Sequence, residues 1–216
     1  MDFARARDVM VESQVRTADV TDLRILHAMR TLPRERFAPG HKRAVAYADL
    51  EVEVAAGRTL MRPRDLAKLV QALAPQAGER ALELAGASGY GAAVLALCCK
   101  QVVSLDPDGE LSFAARTALD ACGLANTKAV STQTIDGWAD EAPYDVIMLN
   151  GAAEFVPEAW LEQLAPGGRL GVIVRQGAAG VARIYTRTDG AAAYRSAFDA
   201  APPVAPGLRK PATFVF

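Results

Sequence analysis

Two apolar runs, Val146–Leu149 and Leu170–Val174, restrict this chain more than any other feature. A strand with one wet face alternates apolar and polar side chains, so a strand without alternation needs cover on both faces. Such cover means a parallel sheet between layers of helix. From about Arg64 the sequence supplies the parts in order. "PRDLAKLVQALAPQAG" reads as an amphipathic helix with a Pro/Gly stop, "RALELA" as a strand and "YGAAVLALCCK" as a helix. Next come "QVVSLD" (strand), "PDGELSFAARTALDACG" (helix), "TKAVS" (strand) and "YDVIMLN" (strand). "VPEAWLEQLAPGG" (helix) and "RLGVIVR" (strand) follow. This alternation is the doubly wound α/β pattern. The tail "VARIYTRTDGAAAYRSAF" adds two extended pieces around Asp189-Gly190, a hairpin signal.

The first sixty or so residues read differently. Val9, Met10 and Val15 recur at roughly helical spacing, as do Val20, Leu23, Leu26 and Met29. Thr17 and Asp19 are candidate caps for the second helix, and Pro33 stops it. Tyr47 to Leu60 reads as extended, with "DLEVEVAAG" alternating apolar and acidic side chains. The expected organisation is a helical and extended N-terminal extension, 1–63, packed on an α/β unit, 64–216. At 216 residues the two share one core as a single structural unit.

A net charge of −1 gives no electrostatic reason to bind nucleic acid or anionic lipid. The local basic cluster Arg34, Arg36, Lys42 and Arg43 reads as a solvated face. Cys98, Cys99 and Cys122 lack metal-ligand spacing and leave one over after pairing, which fits free thiols in a reducing cytosol. Cys98 and Cys99 lie inside an apolar run and read as buried small hydrophobes. No apolar run approaches the ~20 residues of a membrane span, so a cytoplasmic protein is expected. His27 and His41 have no partner in view. No nucleophile elbow, phosphate-binding P-loop or zinc-helix pattern occurs.

In open α/β sheets ligands bind at the carboxyl ends of the strands, where loops and helix starts present backbone N–H groups. The loop in "LELAGASGYG", Leu82–Gly91, is therefore the default site. Asp106 closes the next strand, where a carboxylate accepts hydrogen bonds from ribose hydroxyls. Asp106 also reads as a cap for the following helix, because Pro107 suits a first helical position. The loop spacing G-x-x-G-x-G does not by itself separate a nicotinamide cofactor from S-adenosylmethionine.

Further segments narrow the field. "MVESQV", "LHAMRTLPRERFAP", "AYADLEVEV", "GRTLMRP", "LELAGASGYGAAVLA", "APYDVIMLNGAAEFVPEAWLEQLAPGGRL" and the closing "FVF" stand in the order seen in protein-L-isoaspartate O-methyltransferases. The chain resembles that family over essentially its whole length. The resemblance implies the class I S-adenosylmethionine-dependent methyltransferase fold, with seven mostly parallel strands, a last antiparallel hairpin and an N-terminal helical extension. It also implies methyl transfer from S-adenosylmethionine to the α-carboxyl of an isoaspartyl residue in a peptide or protein. Nothing in it assigns an oligomeric state. The implied cofactor-binding set is Ala85, Gly86, Ala87, Ser88, Gly89, Tyr90, Asp106 and Gln133.

Three segments depart from the family pattern. The family loop reads E-[IV]-G-x-G-[ST]-G-Y, and Ala85 and Ala87 stand at its first two glycines. Left-handed backbone at an alanine costs roughly 1–2 kcal/mol, and Gly86 offers a turn shifted by one residue. The family's Gly-Asp-Gly after the third strand is Thr132-Gln133-Thr134 here, so Gln133 presents an amide in place of a carboxylate. In the family segment G-x-T-[IV]-S-x-P, Met61 replaces the serine, and a thioether has no proton to donate. Thr59 lies two residues earlier but is shared with the family. Arg62 and Arg64 are cations for another anion or exposed arginines at a helix start.

These residues leave three readings. One is a methyltransferase of the isoaspartyl type, with the family acceptor or an altered one. The second is a catalytically silent binding or interaction protein on the same fold. The third, a nicotinamide-dependent oxidoreductase, has only Asp106 and the glycine-containing loop behind it.

Overall fold

The structure, a computed structural model, describes residues 1–133, 135–188 and 191–211. Seven strands form one sheet in the order β5-β4-β3-β6-β7-β8-β9. They are β3 (Arg80–Leu84), β4 (Gln101–Asp106), β5 (Thr127–Ser131), β6 (Tyr144–Ala153), β7 (Leu164–Gln176), β8 (Ala179–Thr188) and β9 (Ala191–Asp199). The pairings from β5 across to β7 are parallel, while β8 pairs antiparallel with both β7 and β9. The expected α/β sheet with a terminal antiparallel hairpin is present. The Asp189-Gly190 turn itself lies outside the described residues.

The unbroken apolar runs are buried as that layering requires. Val146, Ile147, Met148 and Leu149 have no exposed surface, nor do Leu170, Val172 and Ile173. Covering helices are α3 (Pro63–Leu73), α4 (Tyr90–Ala96), α5 (Gly109–Ala121) and α6 (Glu158–Glu162). Proline at its first position suits the start of α3, which buries Leu66, Ala67, Leu69, Val70 and Leu73. Two helices are shorter than the sequence suggests. α4 ends at Ala96, and Leu164, expected within a helix, already pairs with Tyr144.

The N-terminal segment contributes α1 (Phe3–Met10), a π-helical turn at Val11–Val15 and α2 (Leu23–Thr31). Its apolar side chains join the same hydrophobic cluster as the sheet. The buried stripes differ from those expected, because Val9 and Leu23 are 54% and 78% exposed. Met10, Val11 and Val15 face the core in the first helix, and Ile25, Leu26, Ala28 and Met29 in the second. The cap of α2 is Asp22, whose carboxylate accepts from Arg24 N at 2.8 Å, displacing Thr17 and Asp19 from that role.

Arg34 overturns the reading of the basic cluster as a solvated face. It is fully buried, donates through Nε to Ala46 O and through Nη2 to Met61 O, both at 2.7 Å, and lies 4.7 Å from the centre of the Tyr90 ring. This side chain joins two stretches of the extension and stacks on Tyr90 of the α/β unit. Lys42 is paired with Glu53 at 3.2 Å. Cys98 and Cys99 are buried, and all three cysteines are free. Burial pushes the Cys98 thiol up to about 11, the direction expected of an inert apolar residue. His27 and His41 are exposed. Among the described residues no helix is long and apolar enough to cross a membrane, and no group of side chains could hold a metal ion.

Candidate cofactor site

The loop leaving β3 crosses the carboxyl edge of the sheet between Leu84 and Tyr90. Ala85 and Ala87 adopt φ of 52° and 50°, and Gly89 84°. The chain thus keeps a left-handed path at both alanines, where each costs roughly 1–2 kcal/mol. Gly86 is not among the residues with positive φ, so the turn is not shifted onto it.

Gly86 serves a different purpose. A Cβ there would lie 2.2 Å from Ser104 Oγ and 2.7 Å from Glu83 Oε2, and one at Gly91 would lie 2.1 Å from Glu83 Oε1. Both glycines make room for Glu83, which is fully buried beneath the loop and accepts from Ser104 Oγ at 2.7 Å. Burial pushes the Glu83 carboxyl up to about 8, and the Ser104 hydrogen bond offsets part of that rise.

Asp106 ends β4 with 2% of its surface exposed. Its Oδ2 accepts from Ala87 N and from Arg58 Nε, both at 3.0 Å, and its Oδ1 from Asp108 N at 2.9 Å. The capping alternative for Asp106 is overturned. Asp108 caps α5, accepting from Glu110 N at 2.8 Å and Leu111 N at 3.2 Å. Asp106 is therefore free to face the loop, and its bond to Ala87 N is made by the left-handed turn.

Arg58 reaches Asp106 from a small hairpin, β1 (Val52–Ala55) and β2 (Arg58–Leu60), outside the main sheet. Asn150, at the carboxyl end of the β6 core, ties that hairpin to the loop by donating to Thr59 O at 3.2 Å and Ala85 O at 3.1 Å. A chain segment near the C-terminus completes the enclosure. Ala152 N donates to Pro203 O, Ala205 N to Ala152 O and Glu154 N to Leu208 O, at 2.9 to 3.0 Å for the first two and 2.8 Å for the third. Arg58, Ala85, Leu105, Ile135, Trp160 and Pro206 are among the residues around a cavity of about 20 Å³, room for one water molecule.

The expected site residues divide. Asp106, Ala85 and Ala87 come together as anticipated. Ser88 faces a separate cleft lined also by Arg36, Phe37 and Val54, and its buried hydroxyl has no partner among the described residues. The Tyr90 ring does not line the small cavity; it is buried between Arg34 and Phe37, 5.3 Å from the latter ring. Gln133 is exposed and also stands off the cavity, and Thr134 lies outside the described residues. Met61 is a core side chain, 1% exposed. Arg62 pairs with Glu51 at 3.5 Å and Asp49 at 3.7 Å, and Arg64 with Asp65 at 3.3 Å, so neither awaits an external anion. Arg58, Asn150, Ile135 and Trp160 escaped the sequence reading. Only Asn150 carried a signal, its place at the end of an apolar strand.

A family model described as Protein-L-isoaspartate(D-aspartate) O-methyltransferase matches residues 5–199. The chain belongs to the protein-L-isoaspartate O-methyltransferase family. A member from Methylorubrum populi is 41% identical over 169 residues, 78% of each chain. Protein-L-isoaspartate O-methyltransferase 2 of Shewanella sediminis is 38% identical over 168 residues, 78% of this chain and 69% of that one. A solved protein-L-isoaspartate O-methyltransferase superposes with a TM-score of 0.81 at 24% identity, covering 93% of this chain; the chain spans 66% of that protein's length. A Plasmodium falciparum structure named for the same family, in complex with S-adenosyl-L-homocysteine, gives 0.77 at 19% identity, covering 95% and 99% of the two chains. These two likenesses establish the fold.

The cofactor of this methyltransferase family is S-adenosylmethionine, and the site tests against it in two parts. The donor set fits: a strand-end carboxylate for ribose hydroxyls, backbone N–H groups of the loop, and the apolar walls of Leu105, Ile135 and Trp160 for a flat heteroaromatic ring. The space does not fit: the cavity is about 20 Å³, with Arg58 among the residues that line it.

Proposed function

We propose that the chain is an S-adenosylmethionine-dependent carboxyl O-methyltransferase acting on peptide or protein carboxylates of the isoaspartyl type. The observation that carries this reading is the bond from Ala87 N to Asp106 Oδ2, 3.0 Å. It supports the reading because the loop, with alanines at two family glycine positions, meets the strand-end carboxylate through its backbone.

S-adenosylmethionine supplies a methyl group on a positively charged sulfur. Asp106 is the residue to accept from its ribose, with the Ala85–Gly89 backbone alongside. A carboxylate acceptor is already a nucleophile, so the chain's task is alignment and no general base is required. The cleft lined by Ser88 and Arg36, on the other side of the loop, has a free buried hydroxyl and a cation. A hydroxyl and a cation are the chemistry a docking carboxylate uses, although Ser88 stands at a position where the family pattern already has Ser or Thr and so does not restore the serine that Met61 replaces.

The test is transfer of a labelled methyl group to a peptide containing isoaspartate and to the same peptide containing aspartate. Labelled methyl ester on the first and not the second is the expected result. No ester on either, with saturable binding of S-adenosylhomocysteine, would select the binding-protein reading, which draws on the placement of Arg58. No ester and no binding would remove the methyltransferase reading and leave a scaffold that binds something other than this cofactor.

A further inference from the structure

A carboxylate has about four acceptor positions. On Asp106, Ala87 N and Asp108 N take two and Arg58 Nε takes a third. A ribose diol donating through both hydroxyls needs two, and one is left. Volume gives the same answer independently. The cavity beside the pair is about 20 Å³, whereas ligand pockets run to about 300 Å³ or more.

We infer that Arg58 is a displaceable plug in the cofactor site, and that its withdrawal from Asp106 sets the affinity for the adenosine half of the cofactor. This rests on the methyltransferase reading. Arg58 is 8% exposed, yet its Nη1 is buried without a partner among the described residues. The ion pair with Asp106 at 3.0 Å therefore satisfies the guanidinium only in part, and the unmet Nη1, which water would bond, lowers the cost of moving the side chain to solvent. Its carrier is a two-stranded hairpin outside the main sheet. The hairpin turn lies against the C-terminal segment, where a Cβ on Gly57 would lie 3.0 Å from Pro206 Cγ. Opening the site thus means moving Arg58 and the Pro206 strap together.

Calorimetric titration with S-adenosylhomocysteine of the wild-type chain, Arg58→Gln and Arg58→Ala tests this, with melting curves to confirm that each variant is folded. Both variants are expected to bind at least tenfold more tightly than wild type. Adenosine and 2′,3′-dideoxyadenosine add a readout specific to the diol: removing the hydroxyls costs Arg58→Gln at least tenfold and wild type clearly less. Equal or weaker binding in both variants overturns the plug and leaves the methyltransferase reading standing. Absence of binding in all three proteins overturns both.

Discussion

Ser104 Oγ donates to Glu83 Oε2 across 2.7 Å, joining neighbouring strands directly beneath the loop that carries Ala85 and Ala87. The carboxyl is fully buried, and burial raises it from an ordinary 4.5 to about 8. Below about pH 4.5 the folded and unfolded chains both hold this proton. Between there and about pH 8 only the folded chain does, so this group's contribution to stability falls as pH rises, by roughly 1 kcal/mol per pH unit. Above about 8 the loss is complete and constant. Urea unfolding from pH 5 to 9 is expected to show that descent in wild type and its removal in Glu83→Gln. Parallel profiles for the two proteins would contradict it.

The two left-handed alanines make a second prediction. Ala85→Gly and Ala87→Gly each relieve about 1 kcal/mol of backbone strain, partly offset by greater freedom of the unfolded chain. For a chain of this length that is a rise of about 2–4 °C in melting temperature per kcal/mol. A fall in melting temperature for both variants would mean that the loop does not hold φ near +50° at these positions.

Arg34 is a buried cation that carries two carbonyls of the N-terminal segment. Arg34→Met leaves the Ala46 and Met61 carbonyls without their 2.7 Å donors in a buried setting. Each orphaned group costs about 1–3 kcal/mol. Chemical denaturation is expected to show a loss of at least about 2 kcal/mol, far above the ±0.5 typical of surface changes.

The Arg58–Asp106 pair is asymmetric. Asp106→Asn removes the charge facing a guanidinium that is 8% exposed, and an uncompensated buried charge costs about 3–5 kcal/mol. Arg58→Gln leaves Asp106 with its two backbone donors, Ala87 N and Asp108 N. Thermal unfolding is therefore expected to rank wild type closest to Arg58→Gln and well above Asp106→Asn. The reverse order would show that those two donors do not suffice for Asp106.

The sheet was legible because strands covered on both faces need unbroken apolar runs, and Val146–Leu149 and Leu170–Val174 are such runs. Helix faces at the N-terminus were less so. A π-helical turn at Val11–Val15 interrupts the ordinary helical period, and the buried face is Met10, Val11 and Val15 with Val9 exposed. Asp106 was found from its place at a strand end, but its competing role as a cap was settled only by Asp108 accepting from two backbone groups. Arg58 was not legible. Its partner is 48 positions away, and no local pattern announces a cation that will lie on a strand-end carboxylate. Tyr90 shows the limit of a motif: the sequence placed it beside the cofactor, and the packing of its ring against Arg34 and Phe37 was visible only in the structure.

Central to this account is that the loop over Glu83 and the carboxylate of Asp106 still form a cofactor site. Calorimetric titration of the wild-type chain with S-adenosylhomocysteine tests that most directly. Saturable one-to-one binding, lost in Asp106→Asn under conditions where that variant is folded, is the predicted result. No heat of binding up to ~1 mM ligand, equivalent to a binding free energy weaker than about −4 kcal/mol, in wild type and in Arg58→Gln alike would contradict it.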